Sequence, residues 1–157
     1  RHNQKFSITI SAFCINFINK RHPCVSWSFG GDLIFLSKPS ILIIDDDKAI
    51  LHTLSRIFER NNYKVEVAAK GAEAIEKLSS SHFDVALIDY CLPDMEGTDL
   101  FEPITKASPK TLKIMLTGRA HELNTVTGLD ALLSKPVQPS QLLSLIDSKL
   151  KDRNIEA

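Results

Sequence analysis

Residues 84–97 read DVALIDYCLPDMEG, and this stretch decides the predicted fold. Residues 85–88 are apolar and are followed by Asp89, a length and composition typical of a fully buried strand. Pro93 and Gly97 then mark a loop that leads into the next helix. In open parallel α/β sheets, ligands bind outside the carboxyl ends of the strands. The pattern therefore places Asp89 where a side chain is held rigidly and can still reach a ligand.

Short apolar runs alternate with helical periodicity on both sides of this stretch. Predicted strands cover residues 41–44, 63–68, 85–89, 112–116 and 131–134. Predicted helices cover about 48–60, 71–80, 97–107 and 119–127, and a last one starts near Pro139. The alternation predicts an α/β fold, a single doubly wound five-stranded parallel sheet with helices on both faces.

Composition and charge argue against several classes of protein. Apolar residues make up 43% of the chain, which is enough for a packed core. Residues 41–157 carry 18 acidic and 14 basic residues, and such an acidic domain is a poor candidate for binding nucleic acid. No apolar run reaches the roughly 18 residues of a membrane helix. The three cysteines form no even disulfide framework, so a reducing, cytoplasmic compartment is expected.

Residues 1–40 differ from the rest of the chain. They hold six of the 11 aromatic residues, carry a net positive charge and show no sustained period. We interpret them as an N-terminal extension without a stable fold of its own; the alternative is an edge strand at 32–36. The predicted domain covers 41–152, and residues 153–157 form a tail.

Reactive side chains end four of the five predicted strands. They are Asp45, Asp46 and Asp47 after the first strand, Asp89 after the third, Thr117 with Gly118 after the fourth, and Lys135 after the fifth. Because parallel strands end at one edge of a sheet, these residues should converge. Carboxylates that lie close together call for a hard cation such as Mg²⁺, while a lysine and a hydroxyl suit phosphoryl oxygens. This combination predicts phosphoryl transfer, with a carboxylate as a possible nucleophile.

The same residues, in this order, resemble the CheY-like receiver domain of two-component response regulators, whose fold is flavodoxin-like. The resemblance covers residues 41 to about 152. It implies that Asp89 is the phosphoacceptor. It also implies that Asp46, Asp89 and the main-chain carbonyl of Cys91 bind Mg²⁺, with Asp45 helping through water.

The resemblance assigns roles to the remaining motif residues as well. Thr117 would be the switch hydroxyl beside Gly118, and Lys135 would hold the phosphoryl group. Three residues would be structural, with a cis bond expected before the last of them: Pro93, Gly97 and Pro136. The implied function is phosphorelay signalling from a histidine kinase or phosphotransfer protein. The domain would catalyse only its own phosphorylation and dephosphorylation. No further domain follows in this sequence, so we expect a protein partner as the output unless the sequence is a fragment of a longer chain.

Two other functions fit part of the sequence. Residues 43–47 also match the start of haloacid dehalogenase-like phosphatases, with Asp45 as nucleophile and Asp47 as general acid. However, Ala49 departs from that pattern, the acidic pair expected after the lysine is absent, and Asp89 would have no role. The other alternative is a receiver-like module that binds partners without being phosphorylated, against which the intact site argues.

Two features depart from the receiver pattern. Leu132 stands three residues before Lys135, where the family usually has an aromatic residue. The predicted helix at about 119–127 is also about one turn shorter than usual. Both departures fall on the face that would report phosphorylation, so we expect the segment 119–127, rather than Leu132, to carry the change in shape.

Overall fold

The computed structural model describes residues 38–118 and 127–155, and these residues form a five-stranded sheet with helices on both faces. The strands are β1 (Ser40–Ile44), β2 (Lys64–Ala68), β3 (Val85–Asp89), β4 (Leu112–Thr117) and β5 (Ala131–Ser134). All pairings are parallel, in the order β2-β1-β3-β4-β5. The helices are α1 (Lys48–Arg60), α2 (Gly71–Ser80), α3 (Phe101–Ala107) and α4 (Pro139–Ile155). The predicted doubly wound α/β fold is confirmed.

Each face of the sheet carries its own apolar core. Successive residues of a strand point to opposite faces, so a strand covered by helices on both sides must be apolar throughout. Residues 41–44 of β1 show this, since all four are buried. One core contains Ile41, Ile43, Leu87 and Ile114 with Leu54 and Phe58 of α1 and Leu142 and Ile146 of α4. The other contains Leu42, Ile44, Ala86 and Ile88 with Ala74, Leu78, Leu100 and Ile104.

Local capping chemistry sets the ends of α1. The side chain of Asp47 accepts hydrogen bonds from the backbone N–H groups of Ala49 (2.7 Å) and Ile50 (3.4 Å), so Asp47 is the N-cap. At the other end, Asn62 has a φ of 68°, a conformation that asparagine tolerates better than most residues and that turns the chain out of the helix. The helix therefore begins directly behind the acidic residues that follow β1.

Two helix predictions need correction. The predicted helix at 97–107 is a 3-10 turn over Gly97–Leu100 followed by α3, which leaves Pro103 in the first turn of α3, where a missing N–H costs little. On α2, the spacing of apolar residues predicts an inward-facing stripe of Ala72, Ile75 and Leu78. Leu78 is buried as predicted, but Ile75 is 36% exposed, and the other buried residues are Gly71 and Ala74. This rotation brings Gly71 into close contact with the thioether of Met95.

Helix α4 runs past residue 152, the predicted end of the domain, to Ile155. Within this last turn, Arg153 donates a hydrogen bond to the Lys110 carbonyl oxygen and forms an ion pair with Asp130 at 2.6 Å. The end of α4 is thus attached to the segment that leads into β5.

Two predictions concern residues outside the described ranges. The short helix predicted at 119–127 lies outside the described residues except for Thr127, and so does the extension as far as residue 37. None of the helices in the described ranges is both long and apolar enough to cross a membrane.

Candidate functional site

The site lies where the strand order reverses. Strands β2 and β3 pair on opposite sides of β1, and the register aligns Ile44 at the end of β1 with Ile88 of β3. Ligands bind at such reversal points in open α/β sheets. Asp45 and Asp89 follow the two aligned residues, so the topology itself sets these side chains next to each other.

Three carboxylates meet at this point. Asp45, Asp46 and Asp89 can each offer one oxygen such that all three oxygens lie within 4.8 Å of one another. Asp45 is 1% exposed and Asp89 is 8% exposed, whereas Asp46 is exposed to solvent. Two buried acids and one exposed acid therefore form a cluster that is open on one side.

Lys135 is bound to both buried carboxylates. Its Nζ lies 2.7 Å from Asp45 Oδ2 and 2.8 Å from Asp89 Oδ1. The backbone N–H of Lys135 also donates to the Thr117 carbonyl oxygen at 2.8 Å, which extends the pairing of β4 with β5. The predicted cis peptide at Lys135–Pro136 is present. Lys135 is thus positioned by the sheet and not merely by its flexible side chain.

The environment shifts the pKa values of Asp89 and Lys135. Burial raises the pKa of Asp89, and the charges of Asp45 and Asp46 act in the same direction; the hydrogen bond and charge of Lys135 oppose them but do not cancel them. Burial acts to lower the pKa of Lys135, but its hydrogen bonds to Asp45 and Asp89 outweigh that effect and raise it. The site therefore disfavours adding negative charge unless a further cation is bound.

The donor set fits a hard divalent cation. Carboxylate oxygens are the protein ligands that Mg²⁺ and Ca²⁺ prefer, whereas softer metals favour sulfur and imidazole. Mg²⁺ is typically held by one or two carboxylates, with water and phosphate oxygens completing its shell. Because Asp45 and Asp89 already contact Lys135, the exposed Asp46 is the acid that most directly faces an arriving ion.

We expect Asp46→Ala to weaken Mg²⁺ binding at least about tenfold, since an ionised ligand is lost. Without Mg²⁺ the variant should be no less stable than wild type, because removing one of three nearby like charges relieves repulsion. Urea unfolding at a series of Mg²⁺ concentrations measures both quantities, as the gain in unfolding free energy follows the ion's occupancy. Asp152→Ala, which removes an exposed acid on α4, is the matched control. An unchanged Mg²⁺ affinity for Asp46→Ala would remove Asp46 from the site.

The loop after β3 is held tightly against the phosphoacceptor candidate. The N–H of Gly97 donates to the Tyr90 carbonyl oxygen at 2.7 Å, and Cys91 pairs with Glu96 in an antiparallel bridge. A Cβ atom on Gly97 would lie 2.3 Å from the Asp89 carbonyl oxygen, so only glycine fits there without displacement. The loop thus begins and ends beside Asp89.

The geometry agrees with comparisons to known proteins. The family model of the response regulator receiver domain matches residues 41–147. The chain belongs to this family. The receiver fold and a role in phosphorelay signal transduction follow from membership.

Individual relatives show the same likeness. The response regulator MprA of Mycobacterium ulcerans is 31% identical over 120 residues, which cover 74% of this chain and 52% of MprA. A CheY-like receiver domain from Methanospirillum hungatei is 42% identical, with a TM-score of 0.72, and the match covers 77% of this chain and 100% of that structure. A response regulator from Burkholderia pseudomallei, solved with a phosphorylated aspartic acid, a calcium ion and citrate, is 26% identical, with a TM-score of 0.63, over 76% of this chain and 73% of that one. The chain spans about half the length of the curated relatives it matches.

The structure brings most of the predicted site residues to one edge of the sheet. Asp45, Asp46, Asp89 and Lys135 are in mutual reach, and Thr117 is the buried last residue of β4. Gly118 follows it and is exposed, as are Cys91 and Pro93 in the loop after β3. The roles that the resemblance assigns to these residues stay predictions.

Sequence reasoning missed one residue of this loop, Asp94. Its side chain accepts hydrogen bonds from the N–H groups of Gly71 and Ala72 at the start of α2. The signal that points to it is indirect. Residues 68–70 contain no Ser, Thr, Asp or Asn that could cap α2, so the cap has to come from elsewhere in the chain.

Proposed function

We propose that Asp89 is the residue that accepts the phosphoryl group in this phosphorelay receiver, and that Mg²⁺ bound by Asp45, Asp46, Asp89 and the carbonyl of Cys91 supports the transfer. One observation carries the proposal: a buried carboxylate at the reversal point of the sheet contacts a lysine and lies beside two further acids. The donor is a histidine kinase or a phosphotransfer protein, the class of protein that phosphorylates response regulators.

In the proposed reaction, a carboxylate oxygen of Asp89 attacks the phosphorus of the donor's phosphohistidine. The phosphorus–nitrogen bond breaks, the imidazole keeps the electron pair, and an acyl phosphate forms on Asp89. Lys135 is 2.8 Å from the attacking group before the reaction and can follow the phosphoryl oxygens afterwards. Mg²⁺, when bound, supplies the additional positive charge that the crowded carboxylates require.

Two further residues would act on the transferred group. Thr117 lies at the end of the strand next to β3, so its hydroxyl can donate to a phosphoryl oxygen, and the N–H of Gly118 follows it. The similar Burkholderia pseudomallei structure contains a phosphorylated aspartic acid and a calcium ion, which supports a phosphoaspartate and a divalent ion in this site as well.

A cleft of about 600 Å³ next to Lys135 provides a place for the donor protein. It runs between α1 and the segment before α4, and it is lined mainly by apolar groups, including Ile50, Thr53, Pro136 and Val137. Burial of apolar surface is the main driving force of protein association. A donor seated there would hold its phosphohistidine at the edge of the sheet that carries Asp89.

The wider assignment of the chain is part of the same proposal. Residues 41–152 form the receiver domain, with 153–155 completing α4, and residues 1–40 form an extension. The downstream partner is a protein, not a nucleic acid, because the domain is acidic. The chain acts in the cytoplasm, embedded in no membrane, and it catalyses no reaction other than its own phosphorylation and dephosphorylation.

Incubation with Mg²⁺ and acetyl phosphate tests the proposal. We expect the protein to gain one phosphoryl group that is stable in acid and labile in base, as an acyl phosphate is, and to gain none when EDTA replaces Mg²⁺. Intact-mass spectrometry counts the groups. Unlabelled protein under conditions that label a known receiver would favour the alternative of a binding module without phosphorylation.

A further inference from the structure

The loop between β3 and α3 is a closed unit that carries a proposed metal ligand. Its base is formed by the Gly97–Tyr90 backbone hydrogen bond and by the Cys91–Glu96 bridge. Residues 92–95 form its tip. Cys91 stands at the base directly before the tip, so the conformation of the tip bears on the position of its carbonyl group.

The tip is attached to the N-terminus of α2. Asp94 Oδ1 accepts from the Gly71 N–H at 2.8 Å, and Asp94 Oδ2 accepts from the Ala72 N–H at 2.9 Å. The N-cap residue of α2, Lys70, makes no side-chain capping hydrogen bond. Asp94 thus caps a helix that begins more than 20 residues earlier in the sequence. Hydrogen bonds from the Ala72 and Gly71 amides lower the pKa of Asp94, so the side chain is ionised at neutral pH.

The neighbouring Met95 fixes the same contact by packing. A Cβ atom on Gly71 would lie 2.2 Å from Met95 Sδ, so the thioether rests directly on the helix backbone. One polar and one apolar residue in succession therefore hold the loop on α2. The rotation of α2 that buries Gly71 and Ala74 is the one that this contact requires.

We propose that Asp94 is a positioning residue that holds the loop after β3 in the conformation that binds the divalent ion, and that ion binding in turn stabilises the N-terminus of α2. The inference rests on the proposed function, since it assigns Cys91 to the metal site. Asp94 itself does not touch the ion.

The physical reason is that a loop fixed before binding loses less conformational freedom when the ion arrives. If the ion binds only the conformation in which the loop is attached, the apparent affinity equals the intrinsic affinity multiplied by the fraction of molecules in that conformation. Removing the attachment lowers this fraction and therefore the apparent affinity. The coupling between ion binding and loop attachment is reciprocal, so the bound ion must favour the attached conformation by the same factor. The amides of Gly71 and Ala72 report attachment directly, because both donate to Asp94.

The test compares Asp94→Ala with Asp94→Asn and with Tyr63→Phe. Tyr63, the residue before β2, donates a 2.6 Å hydrogen bond to Asp147 of α4, so Tyr63→Phe removes a comparable interaction away from the loop. Asn keeps one acceptor oxygen at position 94. Calorimetric titration with Mg²⁺ measures affinity, and hydrogen exchange with and without Mg²⁺ measures protection of the Gly71 and Ala72 amides.

We expect Asp94→Ala to bind Mg²⁺ about three- to tenfold more weakly, about the factor that loss of a helix cap provides, and Asp94→Asn to lie between it and wild type. Saturating Mg²⁺ should slow exchange at the two amides in wild type and in Tyr63→Phe but not in Asp94→Ala. Wild-type affinity in Asp94→Ala, or equal losses in Asp94→Ala and Tyr63→Phe, would overturn the inference. Failure of the proposed function is distinct, because wild type itself would then neither bind Mg²⁺ nor accept a phosphoryl group.

Discussion

Asp89→Asn is expected to reduce phosphoryl labelling by acetyl phosphate to background. The amide oxygen of asparagine is not a nucleophile comparable to a carboxylate, and no acyl phosphate can form on it. The substitution keeps the shape of a side chain that is 8% exposed, so it leaves the packing of β3 in place. Intact-mass spectrometry measures the extent of labelling, and loss of the label in base identifies it as an acyl phosphate. Thermal unfolding shows that the variant is folded.

Asp45→Asn is the matched variant for this experiment. Asp45 is also buried and contacts the same Lys135, but it takes no covalent part in the proposed reaction. We expect Asp45→Asn to be labelled more slowly than wild type, through weaker Mg²⁺ binding, but to the same final extent. Normal labelling of Asp89→Asn with none of Asp45→Asn would instead support the phosphatase interpretation.

The structure already weakens that interpretation on another ground. The general acid it requires is Asp47, but the carboxylate of Asp47 caps α1 through the amides of Ala49 and Ile50. Both hydrogen bonds give that carboxylate a structural role at the start of α1. Membership in the receiver family points in the same direction.

The placement of the acidic site could be predicted from the sequence because it follows from the topology of the sheet. Once the strands are parallel, Asp45 and Asp89 must lie at one edge, and the β1–β3 pairing then makes them neighbours. The apolar runs at residues 41–44 of β1 and 85–88 of β3 are also easy to recognise, because strands buried on both faces are apolar nearly throughout. Neither inference required knowledge of how any side chain is oriented.

Contacts between segments far apart in the sequence could not be predicted in this way. Leu78 of α2 is buried as predicted, but Ala72 and Ile75 are exposed, because periodicity indicates a helix more reliably than its exact rotation; here Met95 packs against Gly71 on the buried side. The anchoring of Arg153 by Asp130 extends the last helix beyond the expected end, and no local signal in either segment reveals it. The strand ends predict that Lys135 lies near Asp45 and Asp89, but its simultaneous contact with both carboxylates depends on the side-chain conformations.

Gly97→Ala is expected to destabilise the protein by about 1–3 kcal/mol, the cost typical of overpacking a site that cannot relax. The added methyl group would lie 2.3 Å from the Asp89 carbonyl oxygen and 3.0 Å from Ile88 Cγ2, and the first of these is a backbone atom in a buried strand. Either the loop or the end of β3 must move.

A shift of β3 would also displace the carboxylate of Asp89, so Mg²⁺ affinity should fall together with the free energy of unfolding. Gly118→Ala is the stability control, since a Cβ atom there would meet nothing within 4 Å; it should change the free energy of unfolding by no more than about 0.5 kcal/mol. Urea unfolding with and without Mg²⁺ measures both effects. Equal stability of the two variants would mean that the loop absorbs the methyl group freely. The close approach of Gly97 to Asp89 would then not be what holds Asp89 in place.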